Sequence, residues 1–275
     1  MVIAARALGG LPEIHAGDDL AALIAGVLAA ERPPRRPGDG DQPCHGLRDG
    51  EIVAIAHKVV SKAEGAVVAL AGVEPSMRAR ELAADADSAV GQQSGEWQRK
   101  DPRAVQVVLD QTRELLRAER GVLICRTHHG FVCANAGVDA SNAARGTAIV
   151  LPADPDASAR RLRARLRELT GSRVGVLITD SFGRAWRHGQ CDVAIGCAGL
   201  APLDDWRGRA DSAGRELHAT WLAVADAIAA TADLARAKDS REPVVVLDGL
   251  ERFVTAEDGP GAAALLRPLD EDMFR

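Results

Sequence analysis

Residues 174–189 read VGVLITDSFGRAWRHG. The apolar run that opens this stretch is too short for a helix and is bounded by polar residues, which is the pattern of a buried strand. It delivers an acid, Asp180, at its end. Two further runs have the same character, Glu51–Ile55 and PVVVLDG at 243–249, and residues 2–8 alternate loosely as a strand would. Between them lie segments of helical spacing. Asp18 or Asp19 caps a helix through Leu20, Leu23, Ile24 and Leu28, since a carboxylate accepts the free amides of a first turn. Residues 76–117 read as two helices broken near GQQSGEW (91–97) and restarted at Pro102. Leu162, Leu166 and Leu169 share a helix face, with Pro155 near the first turn and Gly171 as the stop. A long helix is expected over Glu216–Ala237, with Trp221, Val224 and Ile228 on one face. GVLICRT and FVCANAG, joined through His128-His129-Gly130, read as a hairpin. This mixture is α+β, without the regular strand–helix alternation of a doubly wound sheet.

Composition narrows the function classes. Of 275 residues, aromatics are 3%, with no Tyr, so there is little to stack bases on, which weakens any reading as a single-stranded nucleic-acid platform. The net charge of −5 leaves no overall positive surface for a phosphate polymer. Basic clusters at Arg160–Arg167 and Arg184–His188 suit small anions better. The five cysteines, Cys44, Cys125, Cys133, Cys191 and Cys197, include no C-x-x-C pair. Neither a disulfide framework nor a structural zinc site is expected, and Cys191 and Cys197 read as small core residues. The N-terminus lacks a signal-peptide pattern and no apolar run is long enough to span a membrane; a cytoplasmic protein is expected, with neither nucleic acid nor membrane as a partner. No composition shift divides the chain. It reads as one unit over 1–275, with an exposed Pro/Gly-rich insertion at 32–49 and a weakly structured tail at 259–275.

The chain contains no G-x-x-x-x-G-K-[ST], H-E-x-x-H or G-x-S-x-G motif. Gly259-Pro260-Gly261 and Ala264 match G-x-G-x-x-A but follow no strand, so they do not read as a dinucleotide loop. His128 and His129 read as surface residues of a turn. Three polar segments follow apolar runs. HKVVSKAEG (57–65) is either a solvated loop or a phosphate site, its lysines offering compact positive charge. NAGVDASN (135–142) carries hard oxygen donors suited to Mg²⁺ or Mn²⁺; the alternative is an Asx-turn network capping its own backbone. In DSFGRAWRHG, Asp180 is followed by Ser181, Arg184, Arg187 and His188. That set suits a metal-bridged phosphate, with a carboxylate for the ion and cations for the remaining oxygens.

Taken in order, GLPEIHAGDDLAALI, HKVVSKAEG, FVCANAGVDASN, LPADPDASARRLRARL, ITDSFGRAWRHG and VAIGCAGLAPLDDWRGRADSAGREL resemble the coenzyme F420:L-glutamate ligase family, the F420-0 γ-glutamyl ligases. The resemblance implies a family-specific α+β fold that is neither a Walker P-loop nor a Rossmann fold, assembled as an intertwined homodimer. It implies an enzyme that uses GTP to join L-glutamate to the deazaflavin F420-0 and extends the tail through γ-linkages. By the same similarity Leu11, Pro12, Glu13, Ile14, His57, Lys58, Lys62 and Asn142 fall at the nucleotide. Asp139, Asp180 and Ser181 fall at two divalent ions, Mg²⁺ or Mn²⁺, with K⁺ as a candidate monovalent ion. A carboxylate is a poor electrophile, so an acyl phosphate is the expected intermediate, with Lys62 on the transferring group and Arg184 and Arg187 as further catalytic cations. The family's Gly-rich metal-binding loop before the last strand is here Ala235–Glu242, without glycine, and Asp239 is its candidate ligand. Two alternatives stay open: a GTP- or deazaflavin-binding relative without activity, and a ligase of the same fold for another phosphorylated acid.

Overall fold

The computed structural model describes residues 2–30, 46–90, 101–139 and 144–273, with the backbone alone at 86–90. Residues 32–45 of the expected insertion, Cys44, Ser141 and Asn142 lie outside the described residues. In chain order the elements are β1 (Ala4–Leu8), α1 (Leu20–Ala30), β2 (Ile52–Ala56), α2 (His57–Ala63), β3 (Val67–Ala69), α3 (Met77–Val90) and α4 (Pro102–Asp110). There follow β4 (Thr112–Glu119), β5 (Val122–Thr127), β6 (Val132–Ala134), β7 (Thr147–Ile149) and α5 (Pro155–Thr170). The chain continues through β8 (Gly175–Arg184), β9 (Arg187–Ala198), β10 (Leu203–Asp205), β11 (Trp221–Ala223), α6 (Val224–Ala235) and β12 (Val244–Asp248).

The main sheet runs β1-β12-β2-β8-β9, with β2 and β8 parallel and the other pairs antiparallel. Its central strands are apolar along Val244–Leu247, Ile52–Ala56 and Val176–Ile178, because both faces are covered there. Val53, Ile55, Val176, Ile178, Val244 and Val246 pack into the cluster that includes α1 and α5. Ile52, Ala54, Leu177, Val245 and Leu247 point the other way, onto Val224, Ile228 and Ala232 of α6. The mixed α+β class expected from the sequence is therefore observed. A second layer is built from β4-β5-β6 against α3 and α4, and β3 pairs with β7 beside it.

Helix α5 begins where expected: Asp154 accepts the Ala157 amide, Pro155 occupies the first turn, and Gly171 closes the helix at φ 73°. Three expectations fail. The second of the two helices over 76–117 ends at Asp110, and residues 112–119 form an edge strand. TRELLRAE is rich in helix formers, but pairing along β5, with Leu115 opposite Cys125, overrides local propensity. The helix expected over 216–237 begins at Val224. Before it, Leu217 and Arg209 bond across a loop, and Trp221 joins β11, exposed beneath the Arg207 guanidinium at 4.2 Å. Residues 57–63 are a helix, not a loop.

The basic cluster on α5 is also absorbed by the fold. Arg161 pairs with Glu64, Arg165 with Asp19 and Glu168, and Arg163 is buried against Asp258 and the carbonyls of Val174, Thr255 and Ala256. The tail forms short 3-10 turns at Ala262–Leu265 and Leu269–Glu271, anchored where Asp156 accepts the Ala262 amide at 2.7 Å. Cys197 is buried as expected, whereas Cys191 is only partly so.

Candidate active site

The site follows from the parallel pair at the sheet centre. Ala56 of β2 lies opposite Thr179 of β8, so the next residues stand where the parallel pairing ends: His57 leaves the sheet for α2, and Asp180 continues along β8, paired with Val193 of β9. That end, the carboxyl edge, is where open sheets with parallel strands present their ligand-binding side chains. The chain turns at once into α2, which keeps His57 buried, with Nε2 3.4 Å from Asp180 Oδ1 and Nδ1 3.4 Å from Ser61 Oγ, one turn along the helix. The Ser181 amide donates to the same Oδ1 at 2.8 Å. Both contacts to Asp180 thus fall on one of its two oxygens.

Lys58, the next residue of α2, reaches the second acid: its Nζ is 2.6 Å from Asp139 Oδ2. Asp139 is placed by paired backbone bonds with Ile149 and by the turn before it, where Asn135, Ala136 and Gly137 all have positive φ (52°, 52° and 71°). Only glycine fits the third of these positions, because a Cβ there would stand 2.8 Å from Leu151. One helical turn beyond Lys58, Lys62 Nζ lies 2.5 Å from Glu13 Oε1. This hydrogen bond holds the Glu13 carboxyl below its ordinary pKa against the opposing effect of burial. Glu13 belongs to the segment Leu11–Ile14. Ile14 is buried in the core, Leu11 packs against it, and Pro12 and Glu13 face outward.

A buried network that the motif reading missed backs this edge. Asp192 on β9 is 1% exposed and accepts from Ser181 Oγ at 2.6 Å, from Thr179 Oγ1 at 2.9 Å and from the Arg236 guanidinium. Burial by itself would raise its pKa, but the Ser181 hydrogen bond, the Arg236 charge, the Thr179 hydroxyl and Lys238 outweigh it and hold the carboxyl below the ordinary value. Lys238 Nζ lies 2.8 Å from Ser181 Oγ and 3.0 Å from Asp233 Oδ1. The signal for Asp192 was available: a lone acid opening the apolar run DVAIGCA, the buried half of β9, needs a buried partner.

Asp239 is exposed in the turn after α6. Arg184 and Arg187 sit at the exposed end of the β8–β9 hairpin, four or more residues along from Asp180, about 13 Å at the rise of a strand. There Arg184 Nη2 donates to the His188 carbonyl at 2.6 Å.

The donor set suits a hard cation at Asp139 and Asp180. Among the described residues no three His, Cys, Asp or Glu side chains converge as a metal cage. An ion here fits the Mg²⁺ manner, held by one or two carboxylates with water and phosphate completing its shell. The nearby Cys133 thiol is pushed up to about 12, first by burial and then by the Asp180 charge, so it stays protonated and offers no soft ligand. Ser181 differs from the two acids, since its hydroxyl proton goes to Asp192 and it already accepts from an ammonium.

No helix among the described residues is long and apolar enough to cross a membrane. Comparison with known proteins agrees with the resemblance drawn from the motifs. The coenzyme F420:L-glutamate ligase of Methanopyrus kandleri is 42% identical, covering 98% of this chain and all of that protein. The protein of the same name from Methanothermobacter thermautotrophicus is 39% identical over 97% of this chain and 96% of its own. That of Methanocaldococcus jannaschii is 42% identical over 83% of this chain and 86% of its own. The sequence profile described as F420-0:Gamma-glutamyl ligase matches residues 10–249, so the chain belongs to the F420-0:gamma-glutamyl ligase family.

Proposed function

We propose that the protein is a GTP-dependent ligase that joins L-glutamate to F420-0 and then extends the γ-linked tail, acting as a homodimer. The observation that carries this reading is the pair of acids, Asp180 and Asp139, each gripped by one of two adjacent residues, His57 and Lys58, at the carboxyl edge of the parallel strands. Lys58 and Lys62 lie on one face of α2 and bind phosphate oxygens of the nucleotide, which is framed by Leu11–Ile14. A divalent ion, Mg²⁺ or Mn²⁺, at Asp139 and Asp180 supplies charge to neutralise the triphosphate. The terminal carboxylate of F420-0 attacks the γ-phosphorus and the bond to the GDP oxygen breaks. The resulting acyl phosphate is attacked by the glutamate amine; the C–N bond forms, the proton leaves the nitrogen, and inorganic phosphate departs. Lys62, with its partner Glu13 at the rim, stays beside the transferring group throughout.

The test is direct. Purified protein with GTP, Mn²⁺ or Mg²⁺, L-glutamate and F420-0 releases GDP and lengthens the glutamyl tail, read by mass spectrometry. Binding of GTP without GDP release for any acceptor acid sinks the ligase reading in favour of a binding protein.

A further inference from the structure

The ammonium of Lys238 sits among oxygens from three elements: Ser181 Oγ on β8 at 2.8 Å, Asp233 Oδ1 on α6 at 3.0 Å and Asp192 Oδ1 on β9 at 3.8 Å. Two of the three are carboxylates, and the third is a hydroxyl whose own proton points to Asp192 at 2.6 Å, which turns a lone pair toward the ammonium. These are the contacts that a cation would make beside Ser181. The side chain is 68% exposed and its head is held at the inner end, so the charge reaches the site from the surface along a flexible stem. Asp192 cannot leave this arrangement, since Arg236 and Thr179 fix its other oxygen from within.

We infer that Lys238 is the resident cation of this corner: it stands where a second divalent ion would meet Ser181, so that the chain works with one exchangeable divalent ion, at Asp139 and Asp180. This rests on the ligase reading above. An ammonium and a doubly charged ion repel each other at contact distance, so an ion can enter either corner only by displacing the lysine; Lys58 answers to Asp139 at the rim, whereas the Lys238 head lies among oxygens of three elements, one of them the Asp192 carboxylate that Arg236 fixes in place. A tethered ammonium carries out the electrostatic part of a metal's task, neutralising phosphate oxygens, without exchange with solvent.

The experiment counts ions. Protein saturated with a non-hydrolysable GTP analogue, freed of excess nucleotide, is titrated with Mn²⁺, and free Mn²⁺ is followed by electron paramagnetic resonance. The wild-type chain is expected to hold one Mn²⁺ tightly. Lys238→Ala, and Lys238→Gln, which keeps a donor to Ser181 but removes the charge, are each expected to hold two; urea midpoints verify that both remain folded. Two tight ions in the wild type, or no gain in both folded variants, overturn the inference and leave the ligase reading standing. If the wild type binds neither nucleotide nor Mn²⁺, the ligase reading fails and this inference falls with it.

Discussion

Replacing Arg236 by Met tests the buried network that supports the site. The Asp192 carboxylate is 1% exposed and carries a full negative charge, with Arg236 as its closest cation. Removing one partner of a buried ion pair costs about 3–5 kcal/mol, because the remaining charge is left without compensation. Two features place the loss near the lower end. Ser181 and Thr179 still donate to Asp192, and Lys238 remains at 3.8 Å, though its exposure screens it. The expected loss is about 3 kcal/mol at neutral pH, measured by urea unfolding followed through tryptophan fluorescence. The pH dependence carries the sign. In the wild type the folded pKa of Asp192 is lowered, so its contribution is fully present above the ordinary carboxylate value and is lost as the pH falls through the lowered one. In the variant, burial dominates and raises the folded pKa above its unfolded value, so protonation relieves the strain and the variant gains relative to wild type as the pH falls from 7 toward 4. Adding Asp192→Asn to Arg236→Met recovers much of the loss. A loss below about 1 kcal/mol, or one of equal size at pH 7 and pH 5, refutes the claim that this charge is buried and held by Arg236.

In the ligase reading, Asp180→Asn removes the charge that would hold the divalent ion while leaving the strand intact; turnover falls by at least about 100-fold with stability within about 1 kcal/mol of wild type, and a loss under tenfold in GDP release takes Asp180 out of the chemistry. Gly137→Ala combines a left-handed backbone with a Cβ 2.8 Å from Leu151, so a loss of about 2–4 kcal/mol is expected in urea unfolding. Leu151→Ala in the same background relieves the clash but not the backbone strain, and full recovery would contradict this division. Asp154→Ala deletes the side chain that caps α5 and lowers stability by about 1 kcal/mol, with no change in the KM for GTP.

The elements that sequence patterning placed well are those whose environment is uniform. VGVLIT, the run from Glu51 and PVVVLDG are apolar throughout because the sheet centre is covered on both faces, and that is a property of the segment itself. TRELLRAE could not be read as a strand, since its pairing with β5 lies outside the segment. HKVVSKA does not read as a helix for the opposite reason: it is short and turns His57, Lys58 and Lys62 toward other charges instead of repeating an apolar face. The candidate site divides in the same way. Asp180 and Asp139 could be picked out because each follows an apolar run, but Arg236 lies 44 residues from Asp192 and Lys238 lies 57 from Ser181, with no local pattern to connect them.

What the folded chain adds to the two acids is that they do not stand alone. Asp139 is paired with Lys58, Glu13 with Lys62, and Asp192 with Arg236 and Lys238. Pairs at the rim and the pair in the interior behave differently. The Lys58–Asp139 and Lys62–Glu13 pairs are partly exposed, so each is worth little by itself and can be exchanged at small cost. In the ligase reading, a metal–nucleotide complex brings both signs of charge together, giving phosphate to the lysines and the ion to the acids, so that no charge is left unpaired in the exchange. The Asp192–Arg236 pair is buried and cannot be exchanged at comparable cost. It therefore sets the frame that holds the Ser181 hydroxyl, and Lys238, with an exposed stem and a tethered head, stands between that frame and the rim.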